Sequence, residues 1–180
     1  SEGMIASWDP SSNTWEWIAS IGGQNSEEIY SIDADETGGA YVLSRTSSRV
    51  TYSIDPDNSS RISNTNTGLT GTTDVMVSKI SNEGKWQWTE SVSGAGNDDA
   101  HAIASMSGGA IVLGGTASLQ LAFDTHSILK SDDPLNMDLW MAGISDNGIW
   151  EWALGLGMAK WPEATSLHHS NGKTAMGGSC

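Results

Sequence analysis

"KWQWTESV", residues 85–92, sets two tryptophans one residue apart, and the chain repeats the device at "TWEWIASI" (14–21) and "IWEWALGL" (149–156). Strict alternation puts Trp86, Trp88 and Val92 on one face and Gln87, Thr89 and Ser91 on the other, the period of a half-buried β-strand. Upstream, "DVMVSKIS" (74–81) is β-branched and apolar, and "NEGK" (82–85) supplies a tight turn with Gly84 where positive φ is cheap. Downstream, "AHAIASM" (100–106) and "AIVLGG" (110–115) read as a hairpin of small and aliphatic residues turning at Ser107 and Gly108. No window of helical length keeps apolar residues at i, i+3, i+4 and i+7, so the expected class is all-β with four strands to a unit.

Working outward from the three Trp pairs, an ungapped alignment brings much else into register. Gly3, Asp74 and Asp138 open the copies, the turns "PSSNT", "SNEGK" and "SDNGI" precede the tryptophans, and an acid follows at Glu28, Asp99 and Glu163. Then come "GAYVLS" (39–44), "GAIVLG" (109–114) and, after a one-residue gap, "GKTAMG" (172–177). The chain therefore reads as one repeat domain, 1–180, with units 3–73, 74–137 and an incomplete 138–180, and the segment that varies in length is a loop or an added hairpin. Short four-stranded antiparallel units in tandem predict a β-propeller fragment of about three blade-equivalents in permuted order. On this reading Trp86, Trp88, Trp150 and Trp152 are buried filler between blades, each costing roughly 3–5 kcal/mol if cut to Ala. The rival reading makes them an exposed sugar-stacking platform.

Composition narrows the function classes. Only 37% of residues are hydrophobic, and nine Trp stand against one Phe and three Tyr, so a few large indoles must supply much of the core. A net charge of −14 is wrong for a phosphate backbone, which excludes nucleic acid as the expected partner, and no apolar run is long enough to span a bilayer. The single cysteine, Cys180, permits no intrachain disulfide.

The stretch "GGAIVLGGTASLQLAFD" (108–124), with "ILKS" (128–131), "DLWMAGISDNGIWEWALGLG" (138–157) and the preceding "NDDAHAIA" (97–104), resembles the short bacterial β-propeller repeat, SBBP, and the resemblance covers essentially the whole chain. It implies a multi-repeat protein acting outside the cell or on its surface, with no catalytic residues to carry over. The first copy departs from the pattern, having "DPSSNT" for the glycine turn and Ser44 and Arg45 for the paired glycines. "SWDPSSNTW" and "SDNGIW" also resemble, imperfectly, the structural Asp-box turn of sialidase-type propellers.

Candidate sites follow from the register. If "AHAIA" is an innermost strand, Glu28, Asp99 and Glu163 gather at one mouth of a channel, with Tyr30, His101 and Thr165 two residues further on; these six are the expected ligand-binding set. Alternatively each acid serves its own loop by accepting backbone N–H groups. His168 and His169 point to opposite strand faces, which disfavours a transition-metal site with His101. "DADETGG" (33–39) and "DPDNSS" (55–60) space Asp33 with Asp35 and Asp55 with Asp57 as oxygen-ligand loops for calcium would, but both lack a closing bidentate Glu and read equally as turn chemistry, so no cofactor is expected and calcium is the one candidate. No nucleophile elbow, phosphate loop or dinucleotide fingerprint occurs.

The reading reached is a non-enzymatic extracellular or cell-surface binding or scaffold module, with a glycan or protein ligand. The alternative is an extracellular carbohydrate-active enzyme using the channel-mouth acids. Strand count gives an outer half-blade, two full blades and an inner half-blade, too few for a ring. Closure is expected either from a second copy, as a head-to-tail dimer, or from further repeats of a longer chain.

Overall fold

The computed structural model describes residues 2–48, 50–54, 61–65, 71–129, 137–157 and 163–179. Among them the chain forms strands and no helix: β1 (Gly3–Asp9), β2 (Thr14–Gly23), β3 (Glu27–Ala34), β4 (Ala40–Thr46), β5 (Val50–Ile54), β6 (Arg61–Thr65), β7 (Asp74–Ile80) and β8 (Trp86–Gly94). There follow β9 (Asp98–Met106), β10 (Gly109–Thr116), β11 (Gln120–Phe123), β12 (His126–Leu129), β13 (Asp138–Ser145), β14 (Trp150–Gly155), β15 (Glu163–Ser170) and β16 (Lys173–Ser179). All pairings are antiparallel, in sheets ordered β1-β2-β5-β6, β12-β11-β8-β7-β4-β3, β14-β13-β10-β9 and β15-β16. With no helix present, nothing described could cross a membrane as one. Asp55, Asp57 and Cys180 lie outside the described residues.

The segment of variable length is an added hairpin in both copies, and each hairpin leaves its own sheet for the preceding one. β5 pairs with β2 through Ile21↔Ser53, and β11 pairs with β8 through Leu121↔Gly94. Two apolar layers hold the stack together. Ile5, Ala19 and Ile21 pack with Val42, Met76, Ile80 and Trp86 between the first two sheets. Val75, Val77, Val92, Leu121 and Phe123 pack with Val112, Trp140, Ala142, Ile144 and Trp150 between the next two.

Trp-x-Trp is not a one-face pattern. Lys79 lies opposite Trp88 and Ile80 opposite Trp86, leaving Gln87 as the extra residue of a β-bulge; Gly143↔Trp152 with Ile144↔Trp150, and Ser7↔Trp17 with Trp8↔Trp15, repeat it around Glu151 and Glu16. A bulge shifts the alternation by one, so the two indoles of a pair point to opposite faces, correcting the single face predicted for Trp86 and Trp88. The first indole packs on the preceding sheet, and Trp86 and Trp150 are buried at 6% and 2% exposure. The second leans on the following sheet and hydrogen-bonds its turn: Trp17 Nε1 donates to Asn82 O at 2.9 Å and Trp88 Nε1 to Asp146 O at 2.8 Å. Gly148, with φ +76°, admits this ring, since a Cβ there would come within 3.0 Å of Trp88. The filler expectation thus holds for Trp86 and Trp150, in part for the half-buried Trp88, and not for Trp152, which is 36% exposed.

The same pairings correct the ungapped alignment. Because Trp8, not Asp9, faces Trp15, the first turn is one residue longer than its counterparts, and Glu2 rather than Gly3 stands level with Asp74 and Asp138. On the β9–β10 and β15–β16 hairpins, "KTAMGG" (173–178) rather than "GKTAMG" matches 109–114.

Buried acids close the loops into β3 and β9. Asp98, fully buried, accepts from Thr116 Oγ1 at 2.6 Å and Ser118 Oγ at 2.9 Å, and Glu27 accepts from Thr46 Oγ1 at 3.2 Å in the equivalent place. Burial pushes the Asp98 carboxyl up to about 6 against the two hydroxyl donors, and the Asp74 charge adds to the rise. A raised folded-state pKa means that its stabilising contribution is complete below the unfolded value near 3.8 and is lost as pH climbs through about 6. Asp98→Asn, which keeps an acceptor for the hydroxyls, is therefore expected to remove a gain of roughly 2–3 kcal/mol that the parent chain shows on acidification from pH 7 to 4. Urea titrations at several pH values check this; parallel pH profiles for the two proteins would refute it.

Candidate functional site

β3, β9 and β15 each carry a bulge at the same step. Ile29 pairs with Ser44 and Ser31 with Leu43, leaving Tyr30 extra on β3; Ala100↔Gly114 with Ala102↔Leu113 leaves His101 extra on β9; Ala164↔Gly178 with Ser166↔Gly177 leaves Thr165 extra on β15. Bulges re-aim side chains out of the pleat, and these three converge. Tyr30, His101 and Thr165, with Arg45, Asp99 and Ala100, line a cavity of about 310 Å³.

Charge organises the cavity. Arg45 Nη1 donates to Asp99 Oδ1 at 2.7 Å and Nη2 to Glu28 Oε2 at 2.9 Å, while its guanidinium lies 5.1 Å from the centre of the Tyr30 ring. The Tyr30 hydroxyl donates to Glu28 Oε2 at 3.2 Å. Burial raises the Tyr30 pKa, the Arg45 charge opposes it and the bond to Glu28 adds to it, so the phenol stays protonated and able to donate near neutrality. Two acids that would otherwise repel thus share one guanidinium. Gly115, opposite Asp99, occupies on β10 the place that Arg45, opposite Glu28, holds on β4, and the His101 ring sits over it: a Cβ there would be 3.0 Å from Nε2.

The structure therefore brings together five of the six residues expected at a channel mouth: Tyr30, His101 and Thr165 in the cavity wall, Asp99 beside them, and Glu28 behind Arg45. For Glu163 only the backbone is described, at the start of β15 opposite Ser179. Arg45 was not among the expected set. Its signal was present, as a cation in a chain of eight Lys and Arg at a repeat position that holds Gly115 and Ser179 in the other copies.

The loop aspartates are engaged elsewhere. Asp33 Oδ2 accepts from the Ser105 amide at 2.8 Å and hydroxyl at 2.9 Å, clamping β3 to β9. Asp35 caps its own turn through Thr37 and Gly39 and lies 3.3 Å from Lys79 Nζ. Among the described residues no group of three or more His, Cys, Asp or Glu side chains is placed to hold a metal ion. His169 lies instead in a second, wider cavity of about 490 Å³ at the hairpin turns, with Asp35, Glu36 and Asn171.

No protein-family model matches the chain, and no curated protein matches it.

Proposed function

We propose that the chain is a non-enzymatic binding module of propeller type, acting outside the cell or on its surface, and that it takes a polyhydroxylated, glycan-type ligand in the cavity of Tyr30, Arg45, Asp99, His101 and Thr165. The observation that carries this reading is the triple bulge, which turns a different polar side chain from each of three successive inner strands toward one cavity. An aromatic edge, a hydroxyl, an imidazole and a carboxylate–guanidinium pair offer the mixed donors and acceptors that sugar hydroxyls need. The propeller reading draws support from antiparallel sheets of four and six strands stacked face to face, with β3, β9 and β15 side by side. Catalysis by the acids is disfavoured because Glu28 and Asp99 both bond the one Arg45 guanidinium instead of standing free on either side of a substrate.

A glycan array followed by calorimetry on the hits tests the proposal. Binding is expected, and Tyr30→Ala and His101→Ala should each weaken it by about tenfold or more. Absence of any glycan binding, or affinity indifferent to both substitutions, sinks the reading. Turnover of a bound glycan would replace it with the enzymatic one.

A further inference from the structure

The first sheet at one end, and the third sheet together with β16 at the other, present apolar faces of the kind that the two internal joints of the same molecule bury. On β1–β2, Met4, Trp8 and Trp15 are 69%, 42% and 63% exposed, with Ile18 beside them at 50%. Their counterparts by strand pairing are Met76, Ile80 and Trp86 in the second sheet and Trp140, Ile144 and Trp150 in the third, all at 6% exposure or less. At the other end Trp152 and Leu154 are 36% and 53% exposed on β14, with Met176 at 44% on β16. Moreover, among the described residues β1 and β16 each end their sheets with an unpaired edge, whereas their equivalents pair with each other: β4 with β7, and β10 with β13.

We propose that these two faces are the halves of one joint between copies of this chain, the β1–β2 face of one seating head to tail on the β13–β14 face of the other while β1 pairs with β16. The internal joints set the register. Gly114 pairs with Trp140 and makes room for its ring, a Cβ there falling 2.3 Å from the indole, and Leu113 pairs with Met141. The same offset puts Gly178 opposite Met4 and Met176 opposite Ala6 of the second copy, again a glycine under the large side chain. Trp17 and Trp88 each donate to the turn of the sheet that follows. Trp152 is third in that series, and the turn it meets across the joint is 9–14 of the second copy. Two such joints in a dimer leave neither edge strand unpaired. This joint is independent of ligand binding in the cavity.

Sedimentation velocity over a micromolar concentration series decides the matter. The expected species has twice the 19.0 kDa of one chain. Trp15→Glu and Trp152→Glu, both at exposed positions and checked for intact far-UV circular dichroism, should each sediment as monomers, and mixing the two should restore a dimer because one joint survives. A monomeric parent chain would overturn the proposal and give both faces to other segments of a longer polypeptide. A dimer surviving Trp152→Glu would overturn it in favour of like faces meeting.

Discussion

Trp140→Ala is expected to lower stability by roughly 3–5 kcal/mol, the largest packing loss among the described residues. Trp140 is fully buried, and Phe123 meets it edge-on at 5.1 Å while making the same T-shaped contact with Trp150 at 5.2 Å. Its indole N–H makes no hydrogen bond, so no hydrogen bond is lost with the ring. Phe123 arrives on the added hairpin, whereas Trp140 belongs to β13. One truncation therefore loosens both the third sheet and the hairpin that fastens it to the second. Thermal melts should show a drop of roughly 10 °C, with Trp140→Phe falling well short of it. A loss under about 1 kcal/mol would mean that the cavity collapses without strain, contrary to the close packing described.

Lys79→Met should come next, at about 3 kcal/mol, for an electrostatic reason. Lys79 is 6% exposed, its ammonium lies 3.3 Å from the equally buried Asp35 carboxylate, and it bonds both Tyr41 Oη and Asp146 on the neighbouring turn. Burial alone would lower the Lys79 pKa, but the bonds to Asp146 and Tyr41 raise it instead. The Tyr41 hydroxyl also donates to Asp146, and burial together with that bond lifts its pKa to about 12. Removing the ammonium leaves Asp35 a buried charge with only turn donors. Asp146 is half exposed and contributes little to the cost. Asp35→Asn added to Lys79→Met keeps the acceptor for Thr37 and Gly39 while deleting the charge, so the double variant should recover more than 1 kcal/mol by denaturant titration. Equal stabilities for the single and double variants would show that the charge is not what makes the lysine necessary.

Much of this architecture was written in local spacing, which is where sequence speaks most directly. Strand types, turns such as "SNEGK", and the register of Glu28 with Asp99 and Tyr30 with His101 all follow from period two and repetition. The facing of the tryptophans did not, because a bulge at Gln87 reverses the alternation and leaves no mark in the hydrophobic pattern. The one-residue insertion in "DPSSNT" escaped because that turn carries no glycine to fix its length, and only pairing distinguishes Glu2 from Gly3. Arg45 was legible as an oddity but not as a partner of Asp99, since the two lie on different sheets. Contacts of that kind depend on how sheets stack, which a repeat alignment does not encode.

The displaced hairpins also bear on the order in which the chain can fold during synthesis. β8 is completed at Gly94, but the strand that covers its outer edge begins at Gln120, after all of β9 and β10 have been made. At typical elongation rates of about 5–20 residues per second, that edge stays open for seconds as the nascent chain grows. An unpaired, apolar-flanked edge is a template for other strands. A nascent chain emerged from the ribosome only as far as Thr116 to Gln120 would hold the second sheet at its most aggregation-prone stage, and emergence of the next few residues would end the exposure by supplying β11.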